Sequence, residues 1–279
     1  MEGVIIKNIS NDYVVSVGNA SFTCKARGKF RKDNIVPLVG DRVVIDSCNN
    51  YILSIKPRVN KLVRPSVCNV DQAIIVTSVK EPSFNTNLLD KLLTIISYNN
   101  IDAVICLTKL DLLDEKEACE IDKYSRYYES LGYRVIDNRS VKVFKEILKG
   151  KVTVLTGQSG AGKSSLLNML DKSLNLKTGE ISHVLGRGKH TTRHVELFPL
   201  YGGYVVDTPG FSSLDFNGIS NYEIRDNMVE MYNNLEFCKY RDCMHLKEDG
   251  CMVKKLVSTG EIIPSRYSNY CKFVMRKGD

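Results

Sequence analysis

The sequence predicts an α/β nucleotide-binding domain set between a small five-stranded β-barrel of OB type and a helical, metal-binding end. Three features predict it: short alternating strands within residues 4–55, a glycine-rich turn between a strand and a helix at 157–164, and three cysteines with one histidine inside 238–251. A chain of 279 residues is too long for one small core and suits two or three domains. The expected division is 1–66, 67–220 and 221–279. No run approaches the roughly 18 apolar residues of a membrane span, and the opening MEGVIIKNIS lacks the layout of a signal peptide. A soluble, cytoplasmic protein without a membrane partner is therefore expected. In that compartment nine cysteines argue against a disulfide framework. Cys24, Cys68, Cys106 and Cys119 read as small apolar residues.

The barrel comes first. Strands are expected at 4–9, 13–17, 21–26, 42–46 and 51–55, with Gly, Asn and Asp turns between them, and barrels of this kind bind oligonucleotides on one face and its loops. Charge supports that partner. The net charge is +7, and residues 1–66 carry eleven Lys and Arg against five Asp and Glu, whereas 67–220 balance and 221–279 carry +1. Such asymmetry points to a polyanion, and RNA is the natural one. Lys25, Arg27, Lys29, Arg31 and Lys32 surround Phe30 and read as a basic hairpin whose aromatic ring can stack on a base; the plain alternative is a solvated charged face. Residues 58–66, basic and containing Pro65, read as a linker.

The central domain opens with a strand at 70–77 and packing helices at 88–98 and 115–131. At its heart Gly157, Gln158, Ser159, Gly160, Ala161, Gly162, Lys163 and Ser164 meet the whole P-loop pattern, between the β-branched run 151–156 and a helical stretch starting at Ser165. Backbone N–H groups of such a turn wrap phosphate, Lys163 reaches the β- and γ-phosphates, and Ser164 ligates Mg²⁺. A nucleoside triphosphate is the expected ligand, with Ser165 among its contacts. Upstream, Thr108-Lys109-Leu110-Asp111 follows an apolar strand. A carboxylate at Asp111 accepts from both N1–H and the exocyclic amine of guanine, a donor pair that adenine lacks; Lys109 lies along the base. Thr108 stands where an Asn is usual. Downstream, Asp207-Thr208-Pro209-Gly210 ends another apolar strand, so that Asp207 holds Mg²⁺ and the Gly210 N–H senses the γ-phosphate. Between these motifs the run 186–192 (GRGKHTT) occupies the place of the first switch, where either Thr191 or Thr192 closes on Mg²⁺. The base-reading loop thus precedes the P-loop, which is the order of a circularly permuted GTPase. Cutting and rejoining a domain elsewhere on its surface is tolerated because termini lie close together.

At the carboxyl end Cys238, Cys243, His245 and Cys251 offer three thiolates and an imidazole, the closed tetrahedral set that suits one structural Zn²⁺. Asp249 and Gly250 supply the turn that brings Cys251 round. Helices at 222–234 and 254–258 are expected to pack about the metal. The segment is weak in apolar residues, so the metal is expected to hold it folded.

The motifs GQSGAGKSSLLN, GKHTT and DTPGF resemble those of the RsgA (YjeQ/YloQ) family of circularly permuted GTPases. RGKFRKDN followed by VGDRVV is similar to that family's leading barrel, and CKYRDCMHLKEDGC to its zinc module. Residues 134–140 (RVIDNRS) stand where a loop packing the guanine base is expected and depart from the pattern. The resemblance implies a role in late assembly or quality control of the small ribosomal subunit, with rRNA as partner and GTP turnover stimulated by that particle; a monomer is expected. For hydrolysis, Lys163 neutralises phosphate charge, but Phe211 stands where many GTPases place a water-orienting Gln. His190 is the candidate to orient water, ahead of His183 and His194; an exposed loop histidine is the plain alternative. Arg187 or Lys189 could stabilise developing charge or grip RNA. The rival readings are an RNA-binding adaptor with GTP as a structural ligand, and an ATPase, which Asp111 disfavours.

Overall fold

The computed structural model describes residues 1–62, 66–172, 195–206 and 215–276. It divides into two compact units, each built from separated stretches of chain: residues 1–74, 138–156 and 162–211 form the first, and 75–137, 157–161 and 212–279 the second.

In the first unit, β1 (Glu2–Ile9), β2 (Asp12–Val17), β3 (Ala20–Ala26), β4 (Arg42–Asp46) and β5 (Tyr51–Ile55) close into a barrel of order β1-β2-β3-β5-β4. Its interior follows from the two-residue period of strands: Ile5, Val15, Cys24, Val43, Ile45 and Ile52 point inward and are sealed from solvent. Register shifts in β1 between Ile5 and Lys7, and between Val44 and Ile45 of β4, bend the ladder so that β4 pairs back onto β1. Gly3 is needed at that seam, since a Cβ there would lie 2.5 Å from the Ser16 carbonyl oxygen.

The stretch after β3 corrects the expectation of a hairpin. Residues Gly28–Lys32 form a short helix, α1, and Phe30 is buried. Its ring packs inward and is not presented to a base, while Arg27 and Lys29 stay exposed. Nor is the segment after β5 a plain linker. Arg58 grips the buried carboxylate of Asp41 with two bonds of 2.7 Å, Leu38 N–H donates to the same group at 2.7 Å, and the Cys68 thiol lies 3.1 Å from it. Strands β6 (Lys61–Leu62) and β7 (Val67–Cys68) pair as a small ribbon, and Asn69 donates to the Gly40 carbonyl. The basic charge of Arg58 is consumed by this clasp.

The same unit holds α4 (Val141–Leu148), most of β11 (Val152–Gly157), α5 (Lys163–Leu170), β12 (Leu197–Leu200) and β13 (Gly203–Val206). Strands β11 and β13 run parallel, and β12 pairs antiparallel to β13. The Lys7–Glu196 ion pair at 2.7 Å and the Tyr204 hydroxyl bond to Ser16 at 3.0 Å fasten the barrel to these strands.

The second unit takes up β8 (Gln72–Ser78) from Ile75 onward, β9 (Asp102–Thr108) and β10 (Arg134–Asp137), side by side in the order β10-β9-β8, with β9 and β10 parallel. Every residue of β8 is buried, the apolar run 73–76 together with the polar Gln72, Thr77 and Ser78. Helix α2 (Thr86–Tyr98) packs on β9 and α3 (Glu115–Ser130) on β10; Asn85 caps the first, and a reciprocal Asp114–Glu117 capping box starts the second. Cys119 on α3 is exposed, contrary to the apolar reading, as is Cys48 in the β4–β5 turn; Cys24, Cys68 and Cys106 are buried.

The carboxyl end is richer in core than its composition suggested. Helices α6 (Asn221–Asp226), α7 (Val229–Asn233), α8 (Met252–Thr259) and α9 (Pro264–Val274) bury Ile224, Met228, Met231, Val253, Tyr270 and Phe273 in one cluster. The helix expected at 222–234 is broken in two at Asn227, whose side chain caps back onto the Glu223 carbonyl. Short helices scatter the apolar residues too sparsely for a periodic signal. Among the described residues no helix is long and apolar enough to cross a membrane.

Candidate nucleotide site and metal centre

Strand β11 delivers the chain into the glycine-rich turn and α5 carries it out, as the spacing predicted. Gly157 has φ +129°, and a Cβ there would lie 2.0 Å from the Val76 carbonyl oxygen, so both backbone and space demand glycine. Gly160 and Gly162 also take positive φ, and Gly162 is the residue from which α5 starts. Gln158 and Ala161 close the turn through an N–H···O bond of 3.2 Å. Ser159 and Gly160 are exposed and Ser164 is buried, while Ser165 faces solvent. Burial pushes the Lys163 ammonium down to about 8. A phosphate group beside it would favour the charged form, and the α5 N-terminus adds favourable potential.

The residues from Thr108 to Asp111 differ in their surroundings. Thr108, at the end of β9, is buried, and its hydroxyl donates to the Ala161 carbonyl at 2.6 Å. The segment before Asp111 is thereby bonded to the glycine-rich turn inside the second unit, and the Thr108 hydroxyl proton goes to main chain. Lys109 follows in the left-handed conformation (φ +62°), and its ammonium donates to the Glu81 carbonyl. Asp111 lies in the short 3-10 turn Leu110–Leu112 with an exposed side chain.

The loop from Lys80 to Asn85 escaped the sequence reading. Ser78 Oγ donates to the Lys80 carbonyl, Lys80 pairs with Glu117 of the α3 capping box at 2.7 Å, and Pro82 would meet a Cβ on Gly160 at 3.6 Å. Pro82, shortly after the apolar strand run, is the signal the sequence offers for it. The remaining predicted groups lie outside the described residues: His190, Thr191, Thr192, Asp207 and Gly210, with His183, Arg187, Lys189, His194 and Phe211.

At the carboxyl end the four predicted ligands converge, with their donor atoms all within 4.8 Å of one another. His245 is buried with φ +56°; its Nε2 sits 3.0 Å from the Met231 carbonyl, while Nδ1 lies 3.3 Å from Cys251 Sγ and 3.6 Å from Cys238 Sγ. A carbonyl only accepts, so Nε2 carries the proton and the Nδ1 lone pair faces the thiols, the tautomer a metal requires. Gly250, with φ +66°, turns the chain, and its carbonyl accepts from Lys239 N–H at 3.1 Å. Glu248 accepts from the N–H groups of Met244, Leu246 and Lys247 at 2.7–2.9 Å and folds the ligand loop on itself. Burial pushes the Cys243 thiol up to about 12, raises Cys251 and keeps His245 neutral. Burial alone favours neutral thiols here, and a soft cation among them would hold them as thiolates. The donor set fits a structural Zn²⁺, with no position left open for a substrate.

Known proteins resemble this chain along its whole length. A family model described as RsgA N-terminal domain matches residues 2–52, and one described as RsgA GTPase matches residues 55–217. The small ribosomal subunit biogenesis GTPase RsgA of Enterococcus faecalis is 48% identical over 281 aligned positions, covering 99% of this chain and 95% of the relative. Its counterpart from Bacillus anthracis is 47% identical, covering 98% and 96%. Among solved structures, YloQ, a circularly permuted GTPase, matches with a TM-score of 0.85 at 39% identity, covering 100% of this chain and 96% of that one. YjeQ from Thermotoga maritima matches with a TM-score of 0.86 at 35% identity, covering 99% of each. A barrel matched by one family model, a permuted nucleotide-binding fold matched by the other, and kinship along the whole length leave one conclusion: the chain belongs to the RsgA family of circularly permuted GTPases.

Proposed function

We propose that this protein is a GTPase acting in late maturation of the small (30S) ribosomal subunit, binding rRNA and coupling GTP hydrolysis to its release from the particle. The observation that carries the nucleotide half is the Thr108 bond to the Ala161 carbonyl, which joins the segment before Asp111 to the phosphate loop. The ribosomal half rests on the relatives, named small ribosomal subunit biogenesis GTPases. On this reading the domains divide functionally as 1–66 for RNA, 67–220 for GTP and 221–279 for zinc, and the protein works in the cytoplasm as a monomer.

In the proposed site, backbone N–H groups from Gly157 to Ser165 and the Lys163 ammonium hold the phosphates, Ser164 and Asp207 hold Mg²⁺, Asp111 selects guanine, and Lys109 lies along the base. Thr191 or Thr192 and Gly210 sense the γ-phosphate. Magnesium would neutralise charge on the β- and γ-phosphates. His190 orients water when the particle is bound, and slow turnover is expected of the free protein. The exposed Lys25, Arg27 and Lys29 supply phosphate contacts on RNA, a role in which no ring need stack.

The test is phosphate release from GTP and from ATP, with and without purified small ribosomal subunits. Slow GTP-only turnover that rises strongly with subunits is expected. Subunit binding that depends on GTP without faster turnover would favour the adaptor reading, and ATP turnover would overturn the role of Asp111. His190→Ala should lower stimulated turnover with little change in GTP affinity.

A further inference from the structure

Four helices of the second unit meet at a buried ion cluster that none of the motifs uses. Arg266 of α9 is wholly buried; Nη1 donates to Asp90 of α2 at 2.6 Å, and Nε and Nη2 donate to Glu230 of α7 at 2.9 and 3.2 Å. Helix α3 completes the set, with Tyr128 Oη donating to Asp90 at 2.7 Å and Tyr127 Oη to Glu230 at 2.5 Å. Asn269 Nδ2 takes the second Asp90 oxygen at 2.6 Å. Two carboxylates share one guanidinium here, and their remaining lone pairs are met by phenols and an amide.

The cluster's four helices lead to two different places. Helix α2 continues from the Lys80–Asn85 loop, whose Glu81 carbonyl holds Lys109, and α3 begins at Asp114, three residues beyond Asp111. Helices α7 and α9 frame the metal centre: Met231 of α7 accepts from His245, and Tyr267 and Tyr270 of α9 donate to the carbonyls of His245 and Met244, both at 2.7 Å. A charge buried in a low-dielectric interior tolerates its partners in one arrangement only, since withdrawing one carboxylate leaves an uncompensated ion. We propose that the Arg266–Asp90–Glu230 cluster couples zinc occupancy to guanine-nucleotide affinity, each ligand strengthening retention of the other. Bound zinc seats α7 and α9, which hold Glu230 and Arg266 in register; that register fixes α2 and α3, and with them the segments that carry Lys109 and Asp111. When the metal leaves, α7 loosens and Glu230 withdraws, and α2 and α3 lose their anchor. Coupling of this sort is reciprocal by thermodynamic necessity. Arg266, Tyr127 and Tyr128 are positioning residues in this scheme, which rests on the guanine reading of Asp111.

Zinc release from the full chain to a chelating dye is the measurement, made with and without saturating GDP, with GDP binding followed by calorimetry on the same samples. GDP is expected to slow zinc release at least roughly fivefold. A Tyr127→Phe/Tyr128→Phe double variant keeps both rings and the ion pair but removes the two hydroxyl ties to α3; it should bind zinc and GDP and lose most of that protection. General stabilisation of the fold by GDP would protect zinc equally in both proteins, so the double variant separates coupling from mere stability. GDP binding with unchanged zinc release, or full protection in the double variant, overturns the proposal. Absence of any GDP binding would fail differently: it removes the guanine reading itself and the coupling with it.

Discussion

The barrel and the carboxyl-terminal helices solve the same problem, a stable fold from a short stretch of chain, by opposite means. The barrel closes its hydrogen-bond ladder on itself and fills the inside with Ile5, Val15, Val43, Ile45 and Ile52; its one fully buried carboxylate, Asp41, is clasped by the half-buried Arg58. The helical end has no ladder. It relies on short helices, four converging metal donors and the fully buried Arg266 with its two carboxylates. A main-chain ladder spreads its stabilisation over many weak bonds, whereas metal and buried ions concentrate it in a few atoms. The first should yield gradually to substitution and the second abruptly.

Removing the metal should break the comparison most sharply. Structural zinc in small domains contributes about 10–16 kcal/mol to folding, so chelation, or Cys243→Ser, should open amides of 221–276 to hydrogen exchange while those of β1–β5 stay protected. Next comes Arg266→Met, which leaves Asp90 and Glu230 buried without their counter-charge. A loss of about 3–5 kcal/mol is expected in urea titrations, again confined to the second unit. On the barrel side, Asp41→Ala deprives the Leu38 N–H and the Arg58 guanidinium of their acceptor and should cost about 1–3 kcal/mol. Exchange mapping should place that loss in residues 1–62. An effect on the barrel as large as that of Arg266→Met would erase the distinction.

The smallest effect concerns acid. Asp46, in the turn between β4 and β5, is held below its ordinary 3.8 chiefly by the Asn49 side chain, with Asn49 and Cys48 N–H groups assisting. A carboxylate lowered in the folded state contributes stability that is fully present above its unfolded value and is lost as pH falls through the folded one. Asp46→Asn should therefore narrow the stability difference between pH 6 and pH 3 slightly, as read by thermal melts at the two pH values. An unchanged difference would mean that the turn carries no such linkage.

How much of this the sequence disclosed depended on how local the determinant was. Gly157 to Ser164 and the four zinc donors are legible because each pattern is a contiguous demand of one ligand, and the barrel strands because their alternation is local. Phe30 misled because a five-residue helix has too few positions for its period to stand out from a basic run. Thr108 looked like a weakened base reader; that its hydroxyl meets Ala161, more than fifty positions away in the chain, is a tertiary fact. The Arg266 cluster was invisible for the same reason, since Asp90, Tyr127, Glu230 and Arg266 come from four helices, and each alone reads as an ordinary surface residue.

The exposed thiols carry a practical consequence. Cys48 sits in a barrel turn of the first unit and Cys119 on α3 of the second, while Cys24, Cys68 and Cys106 are buried, Cys271 on α9 is half-buried and the other three are the candidate zinc donors. A maleimide fluorophore would therefore reach one native handle in each unit before it reached the interior. The chain comes equipped for distance measurements by energy transfer, with Cys48→Ser and Cys119→Ser as single-dye controls, so nucleotide-dependent rearrangement of the two units can be followed without adding a foreign residue.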